Sequence, residues 1–170
     1  MVALTARSPK STQMFCAAIF LISILGYFSG AAGVFAAEAH QPFAAFNAML
    51  DIDIEDGEIE VEATFTLSEN SNGLNVAAEA VSLQVLGGTG AYFVTIPAGS
   101  FKTDRSGRFT FQGTINKVKI AVLIRPLRSG IFELEAVFER ANLRGMANPV
   151  TVSLTIGDDG GTRSVRAKIE

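Results

Sequence analysis

Tyr92-Phe-Val-Thr-Ile-Pro-Ala-Gly-Ser-Phe101 is followed by a polar turn at Asp104-Arg-Ser-Gly107, then by Arg108-Phe-Thr-Phe-Gln-Gly-Thr-Ile115. Asn116-Lys117 comes next, and then Val118-Lys-Ile-Ala-Val-Leu-Ile124. Apolar side chains alternate with polar ones, and each run stops at Gly, Pro, Asn or Asp. A strand turns successive side chains to opposite faces, whereas a helix repeats every 3.6 residues. The period of two across 92–124 therefore predicts consecutive antiparallel strands with one dry and one wet face.

The same period extends in both directions. Phe46 to Ile54 places Leu50, Ile52 and Ile54 on one side and Asp51 and Asp53 on the other. Asp56-Gly57 is a hairpin signal, and Ile59, Val61, Ala63, Phe65 and Leu67 then alternate with Glu60, Glu62, Thr64 and Thr66. A loop at 68–80 leaves room for one helical turn at 75–80. Val81, Leu83 and Val85 mark a third strand, which Gly87-Gly-Thr-Gly90 turns into Tyr92–Ile96. Pro97 ends that strand by removing a donor. After Phe109–Ile115 and Val118–Ile124 come Phe132–Phe138, Val150–Ile156 and, past Gly157-Asp-Asp-Gly-Gly161, a charged edge strand at Arg163–Ile169. About nine strands and no convincing helix predict an all-β domain over 46–170, an antiparallel β-sandwich or a small barrel.

The chain also repeats itself. Glu60-Val-Glu-Ala-Thr-Phe65 matches Glu133-Leu-Glu-Ala-Val-Phe138, 73 residues on, and Val81-Ser-Leu-Gln-Val85 matches Val152-Ser-Leu-Thr-Ile156, 71 residues on. Gly57 and Gly130 stand ahead of the first pair, while Gly90 aligns with Gly161 and Val94 with Val165. Two similar halves, about 46–96 and 109–169, are expected to pack on each other, because neither buries its apolar face alone.

The N-terminal 37 residues have a different character. Arg7 and Lys10 precede an uncharged, apolar run from Met14 to Ala37 that ends in small residues, which is the form of a secretory signal. Val34-Phe-Ala36 and Ala37-Glu-Ala39 offer cleavage sites, so cleavage is expected after Ala36 or Ala39. The alternative is an uncleaved helical anchor, since about 20 apolar residues span a bilayer. Gly26, Ser29, Gly30 and Gly33 disfavour it. Both readings export the rest of the chain, as a periplasmic or extracellular domain or as one facing outward from the inner membrane. Residues 38–45, with Pro42, are expected to be a linker. The lone Cys16 lies in the apolar run, so the exported part holds no disulfide.

Val94-Thr-Ile-Pro-Ala-Gly-Ser-Phe101, Gly107-Arg-Phe-Thr-Phe-Gln-Gly-Thr-Ile115, Asn148-Pro-Val-Thr-Val-Ser-Leu-Thr-Ile-Gly-Asp-Asp159 and Asn72-Gly73 resemble an uncharacterised group of secreted bacterial β-rich domains, often found as repeats in exported proteins. The resemblance covers roughly 58–169 and departs from the group at Gly87–Ala91 and Leu143–Met146. It implies secretion and a β-rich fold, and it carries no reaction and no catalytic residue.

The side-chain inventory narrows the chemistry. Seventeen acids against fourteen bases give no basic excess for nucleic acid. His40, the one histidine, falls in the linker, so no histidine base serves the domain. The glycine clusters at 87–90 and 157–161 do not open helices and are poor phosphate cradles. Ser100 lies in a tight turn rather than a nucleophile elbow. Tyr92 is the only Tyr of the exported part and there is no Trp, which disfavours sugar stacking, although Phe93 or Phe101 could substitute. Carboxylates remain. Asp51 and Asp53 on one strand stand beside Glu60 and Glu62 on the next, a candidate Ca²⁺ site, although Asp56 occupies the place where an EF-hand loop needs Gly. Seven basic residues against Asp104 alone, from Lys102 to Arg128, are expected to pair with this acidic face across strands or between copies.

Three functions follow. The first is an exported, non-catalytic module, structural or partner-binding, with no cofactor. Its strand Ile120–Ile124 is apolar on both faces, so it is expected either to be central and covered on both sides or to be an association surface, with Ala121, Leu123, Ile131 and Val137 as the expected contact for another protein or a second copy. The second is a Ca²⁺-dependent extracellular module using Asp51, Asp53, Glu60 and Glu62. The third is a hydrolase using paired carboxylates.

Overall fold

The computed structural model describes residues 41–128 and 130–170. The signal or anchor at 1–37, its cleavage sites, Cys16 and His40 lie outside the described residues. Twelve strands are present: β1 Gln41–Pro42, β2 Ala45–Asp53, β3 Glu58–Thr66, β4 Val81–Gly87, β5 Gly90–Ile96, β6 Lys102–Thr103, β7 Phe109–Ile115, β8 Val118–Arg128, β9 Ile131–Glu139, β10 Val150–Ile156, β11 Asp159–Val165 and β12 Lys168–Ile169. Among the described residues there is no helix, and hence none long and apolar enough to cross a membrane. The expected turn in the 68–80 loop is one turn long, closed by the Ala78 and Glu79 N–H groups on the Asn75 carbonyl.

The strands form two open sheets, a five-stranded one in the order β1-β11-β10-β4-β5 and a seven-stranded one in the order β12-β2-β3-β9-β8-β7-β6. Neither closes, so the barrel alternative falls. The sheets are also mixed rather than purely antiparallel. β1 joins β11 and β12 joins β2 in parallel, each over two residues at an edge. The apolar phase of every long strand points into one core, from Ile52, Ile59, Val61 and Phe65 to Val85, Val152, Leu154 and Ile156.

Three expectations need correction. The 38–45 segment is not a bare linker where it is described: Gln41–Pro42 pairs with β11, and Phe43 is buried, stacked on Phe65 with ring centroids 4.7 Å apart. The expected strand Arg163–Ile169 is two strands in different sheets. Gly157-Asp158 alone make the turn, β11 starts at Asp159, and the chain changes sheets at Arg166-Ala167. Asn148 fixes that crossing: its side-chain amide donates to the Ala167 carbonyl and accepts from the Ala167 N–H, both at 2.8 Å. Finally, β8 is not covered by a second layer. Ile120, Val122 and Ile124 are buried, whereas Ala121 and Leu123 face out and are half-buried by their neighbours.

The similar sequences sit side by side. β3 pairs with β9, setting Glu62 opposite Glu135, and β4 pairs with β10, setting Leu83 opposite Leu154. The second hairpin is tighter than the sequence alignment supposes. Leu83 faces Val94, but its neighbour Leu154 faces Gly161. Gly161 therefore occupies the row of Val94 rather than that of Gly90. Phe43 and Phe46 fill the space a side chain would take: a Cβ on Gly161 would stand 2.7 Å from the Phe43 ring and 3.1 Å from Phe46. Gly161→Val is expected to destabilise the chain by about 2 kcal/mol, the overpacking range, read as a lower urea midpoint with unchanged slope. An unchanged midpoint would mean that the two rings are not held there.

Candidate functional site

The outer face of the seven-stranded sheet carries the residues singled out by sequence. Across β2 and β3, Asp51 stands opposite Glu60, Asp53 opposite Glu58 and Met49 opposite Glu62. The acids form rows along the strands, since outward neighbours on one strand are about 6.6 Å apart. Asp53 is engaged by its own turn, where Oδ1 accepts the N–H groups of Glu55 at 2.9 Å and Asp56 at 3.0 Å. Asp51 meets Lys168 Nζ at 3.2 Å, and Lys168 also reaches Glu170 at 3.0 Å. These two acids push the Lys168 pKa upward, Glu170 more than Asp51. Glu58 moves up from the ordinary carboxylate range through desolvation and the negative charge of Glu60, Glu139, Asp53 and Asp56. The expected Ca²⁺ site on Asp51, Asp53, Glu60 and Glu62 is not assembled: among the described residues no group of three or more His, Cys, Asp or Glu converges to hold a metal.

Among the described residues no base of 102–128 pairs with this acidic face either: β9 lies between, and its acids take Lys119 and Arg125. Lys119 pairs with Glu139 at 2.6 Å, and Arg125 pairs with Glu133 and with Glu135, the latter at 3.1 Å. The hydrogen bond from Lys119 lowers the Glu139 pKa. Asp104 turns back on its own loop, accepting from Ser106 Oγ at 2.6 Å and Arg108 Nε at 2.7 Å, and these contacts hold its carboxyl far below the usual range.

Of the expected contact surface, Ala121, Leu123 and Val137 come together. Ala121 lies opposite Val137 and Gln112, and Leu123 opposite Glu135 and Thr110. They floor a shallow furrow of about 360 Å³ rimmed by Arg108 and Glu135. Ile131 is not part of it. It lies six residues from Val137 along β9, about 20 Å away, opposite Thr66 and Arg128.

Three positions have surroundings that the sequence does not reveal. Phe93, in the outward phase of Tyr92-Phe-Val-Thr-Ile, is 63 % exposed on β5, an edge strand. The alternation predicts its orientation, but not that β5 lacks a second neighbour among the described strands. Tyr92 points inward, packs edge-on against Phe138 at 5.2 Å, and has a buried hydroxyl with no hydrogen-bond partner. Asp159 was read as part of a turn, yet it shares phase with inward Gly161 and Val165. It is 1 % exposed, the one buried charged side chain among the described residues.

The fold and this surface define an all-β protein of two facing open sheets, one with a charged outer face. Comparison with protein-family models, curated proteins and solved structures finds no match.

Burial pushes the Tyr92 phenol up to about 12. An unfolded phenol titrates near pH 10, so from about pH 10 to 12 the unfolded chain releases a proton that the folded chain keeps. Stability is complete below that window and falls across it. Tyr92→Phe removes this loss together with an unsatisfied hydroxyl, and is expected to stabilise the chain by about 1 kcal/mol at neutral pH. Thermal unfolding at pH 7 and across the alkaline window checks both. A lower Tm at pH 7 would show that the hydroxyl is satisfied in solution.

Proposed function

We infer that this chain is an exported, non-catalytic structural module that joins a second copy of itself by strand addition at β5. The condition of the sheet edges carries the reading. β1 is two residues long and includes Pro42, which has no N–H to offer. β6 and β12 are equally short and carry Lys102 and Lys168. β5 is seven residues long, holds neither charge nor proline, pairs among the described residues only with β4, and exposes Phe93. Native sheets blunt an edge by shortness, charge, proline or a cover. Along β5, among the described residues, only Gly90 has a backbone bond elsewhere, donating to the Gly145 carbonyl at 2.9 Å.

The chemistry of β5 favours a second copy as occupant. An uncharged strand lies antiparallel to its own copy in any register without setting like charges opposite each other. The adjoining outer face is neutral as well: Ser82, Gln84 and Leu86 on β4 and Thr151, Ser153 and Thr155 on β10 alternate with the buried residues. Export is supported by the basic-then-apolar N-terminal sequence and by the resemblance to secreted β-rich domains. The absence of catalysis is supported by the engagement of Asp51 and Asp53 with Lys168 and a turn. Duplication is supported by the central pairs, since Glu62 and Glu135, and likewise Leu83 and Leu154, match in sequence and face each other. A second reading places the contact at Ala121, Leu123 and Val137, where three outward apolar residues meet.

Sedimentation velocity from micromolar to millimolar protein separates these readings. The native chain is expected to associate, Phe93→Lys to remain monomeric, and Leu123→Glu to behave as the native chain does. A native chain that stays monomeric throughout contradicts self-joining, and association abolished only by Leu123→Glu moves the contact to the charged face.

A further inference from the structure

Asp159 opens β11 and stands opposite Ile156 of β10 and Gln41 of β1. Its Oδ2 accepts a hydrogen bond from Ser71 Oγ at 2.8 Å, whereas its Oδ1 is enclosed and has no partner. No Lys or Arg forms an ion pair with Asp158 or Asp159 among the described residues. A buried carboxylate with a single neutral donor is costly, because burial removes water from the charge and nothing replaces it. A cation at Oδ1 would offset that cost.

The surroundings are rich in oxygen and come from three separate segments. Ser71 Oγ, besides donating to Asp159, accepts the Gly73 N–H at 3.1 Å. Asn72 Nδ2 lies 3.4 Å from Asp158 Oδ1. Gln41 donates its backbone N–H to the Asp158 carbonyl and its side-chain Nε2 to Ser68 Oγ at 3.1 Å. Glu79 lies against the same turn, close enough that a Cβ on Gly157 would stand 2.8 Å from its Oε1. Hydroxyl, carboxylate and carbonyl oxygens, with no thiolate or imidazole among the described residues, suit a hard cation.

We propose that the Asp159 carboxylate, with Ser71 and the Asp158 turn, binds a calcium ion where the 68–73 loop meets the β10–β11 hairpin. The site is separate from the outer acidic face and independent of strand addition at β5. The ion neutralises the buried charge and ties the loop to the hairpin. With one buried carboxylate and otherwise neutral or exposed oxygens, affinity falls in the weak range of extracellular modules, a Kd of about 10⁻⁴–10⁻³ M.

Thermal unfolding of the full chain with excess chelator and with calcium chloride at about ten times that Kd tests the site. The native chain is expected to gain about 3–6 °C in Tm with calcium. Asp159→Asn keeps the shape and the Ser71 contact and is expected to lose the response. Asp53→Asn, on the outer face, is expected to keep it. Ser71→Ala, which is exposed to less risk of misfolding, is expected to weaken calcium binding several-fold by calorimetry. No calcium response in the native chain overturns the proposal and leaves an internal water as the partner of Oδ1. So does a response that survives both Asp159→Asn and Ser71→Ala, or one that is lost only in Asp53→Asn.

Discussion

Everything in this fold depends on two apolar sheet faces closing on one another. The inward residues of β3 and β9, Ile59, Val61, Phe65, Leu134 and Phe138, are at most 1 % exposed, and so are Val85, Val150, Val152, Leu154 and Ile156 of β4 and β10. Each such side chain stabilises the folded state by about 1.5–3 kcal/mol relative to exposure. These four strands are central in their sheets, so their hydrogen-bonded edges are also dry. Outer elements attach to this frame by smaller contacts, such as the Asn148 clamp on Ala167, the Phe43 ring over Gly161, and Phe101 on the Phe111 ring at 5.8 Å.

The strands were legible because their signal is local. Glu60-Val-Glu-Ala-Thr-Phe65 reads as a half-buried strand whatever it pairs with, and eight of the nine expected strands lie where alternation puts them. Pairing is not local, so sheet order was not legible. Nothing near Gly90–Ile96 in sequence says that β5 ends a sheet, and nothing near Glu60 or Glu62 says that β9 lies beside β3 and sets Glu133, Glu135 and Glu139 between them and the bases of β8. The ninth strand failed for a related reason. Arg163, Arg166, Lys168 and Glu170 look like one charged edge, but the crossing at Arg166-Ala167 is set by Asn148, eighteen residues upstream.

The candidate sites split in the same way. Ala121, Leu123 and Val137 meet because adjacent strands bring matching phases together, a consequence of local pattern plus the β8–β9 hairpin. Ile131 shares the phase but not the row. The acidic residues Asp51, Asp53, Glu60 and Glu62 share a face as expected, yet a flat pleated sheet spreads outward side chains too far apart to surround one ion. Asp159 was hidden by its own sequence context. Asp-Asp-Gly-Gly reads as turn, and only the two-residue hairpin Gly157-Asp158 moves Asp159 into the strand and turns it inward.

The two outer faces are unlike, and the difference bears on how the module meets its surroundings. On the seven-stranded sheet, Lys119, Arg125 and Lys168 are each tied to acids, while desolvation and the surrounding carboxylates raise the Glu58 pKa. Such a surface favours water and repels its own copy wherever the acids outnumber their partners. On the five-stranded sheet the outward groups are hydroxyls, an amide and a few apolar side chains. The hydroxyls satisfy one another across strands, Ser82 with Thr95 and Ser153 with Thr162, both at 2.8 Å. Covering that surface strips no charge of its water, so the desolvation cost that guards the first face is missing from the second. β5 borders the neutral face, and Phe93 belongs to both the face and the edge. An approaching strand there gains backbone hydrogen bonds and buries an aromatic ring in one step, a combination none of the other described edges presents.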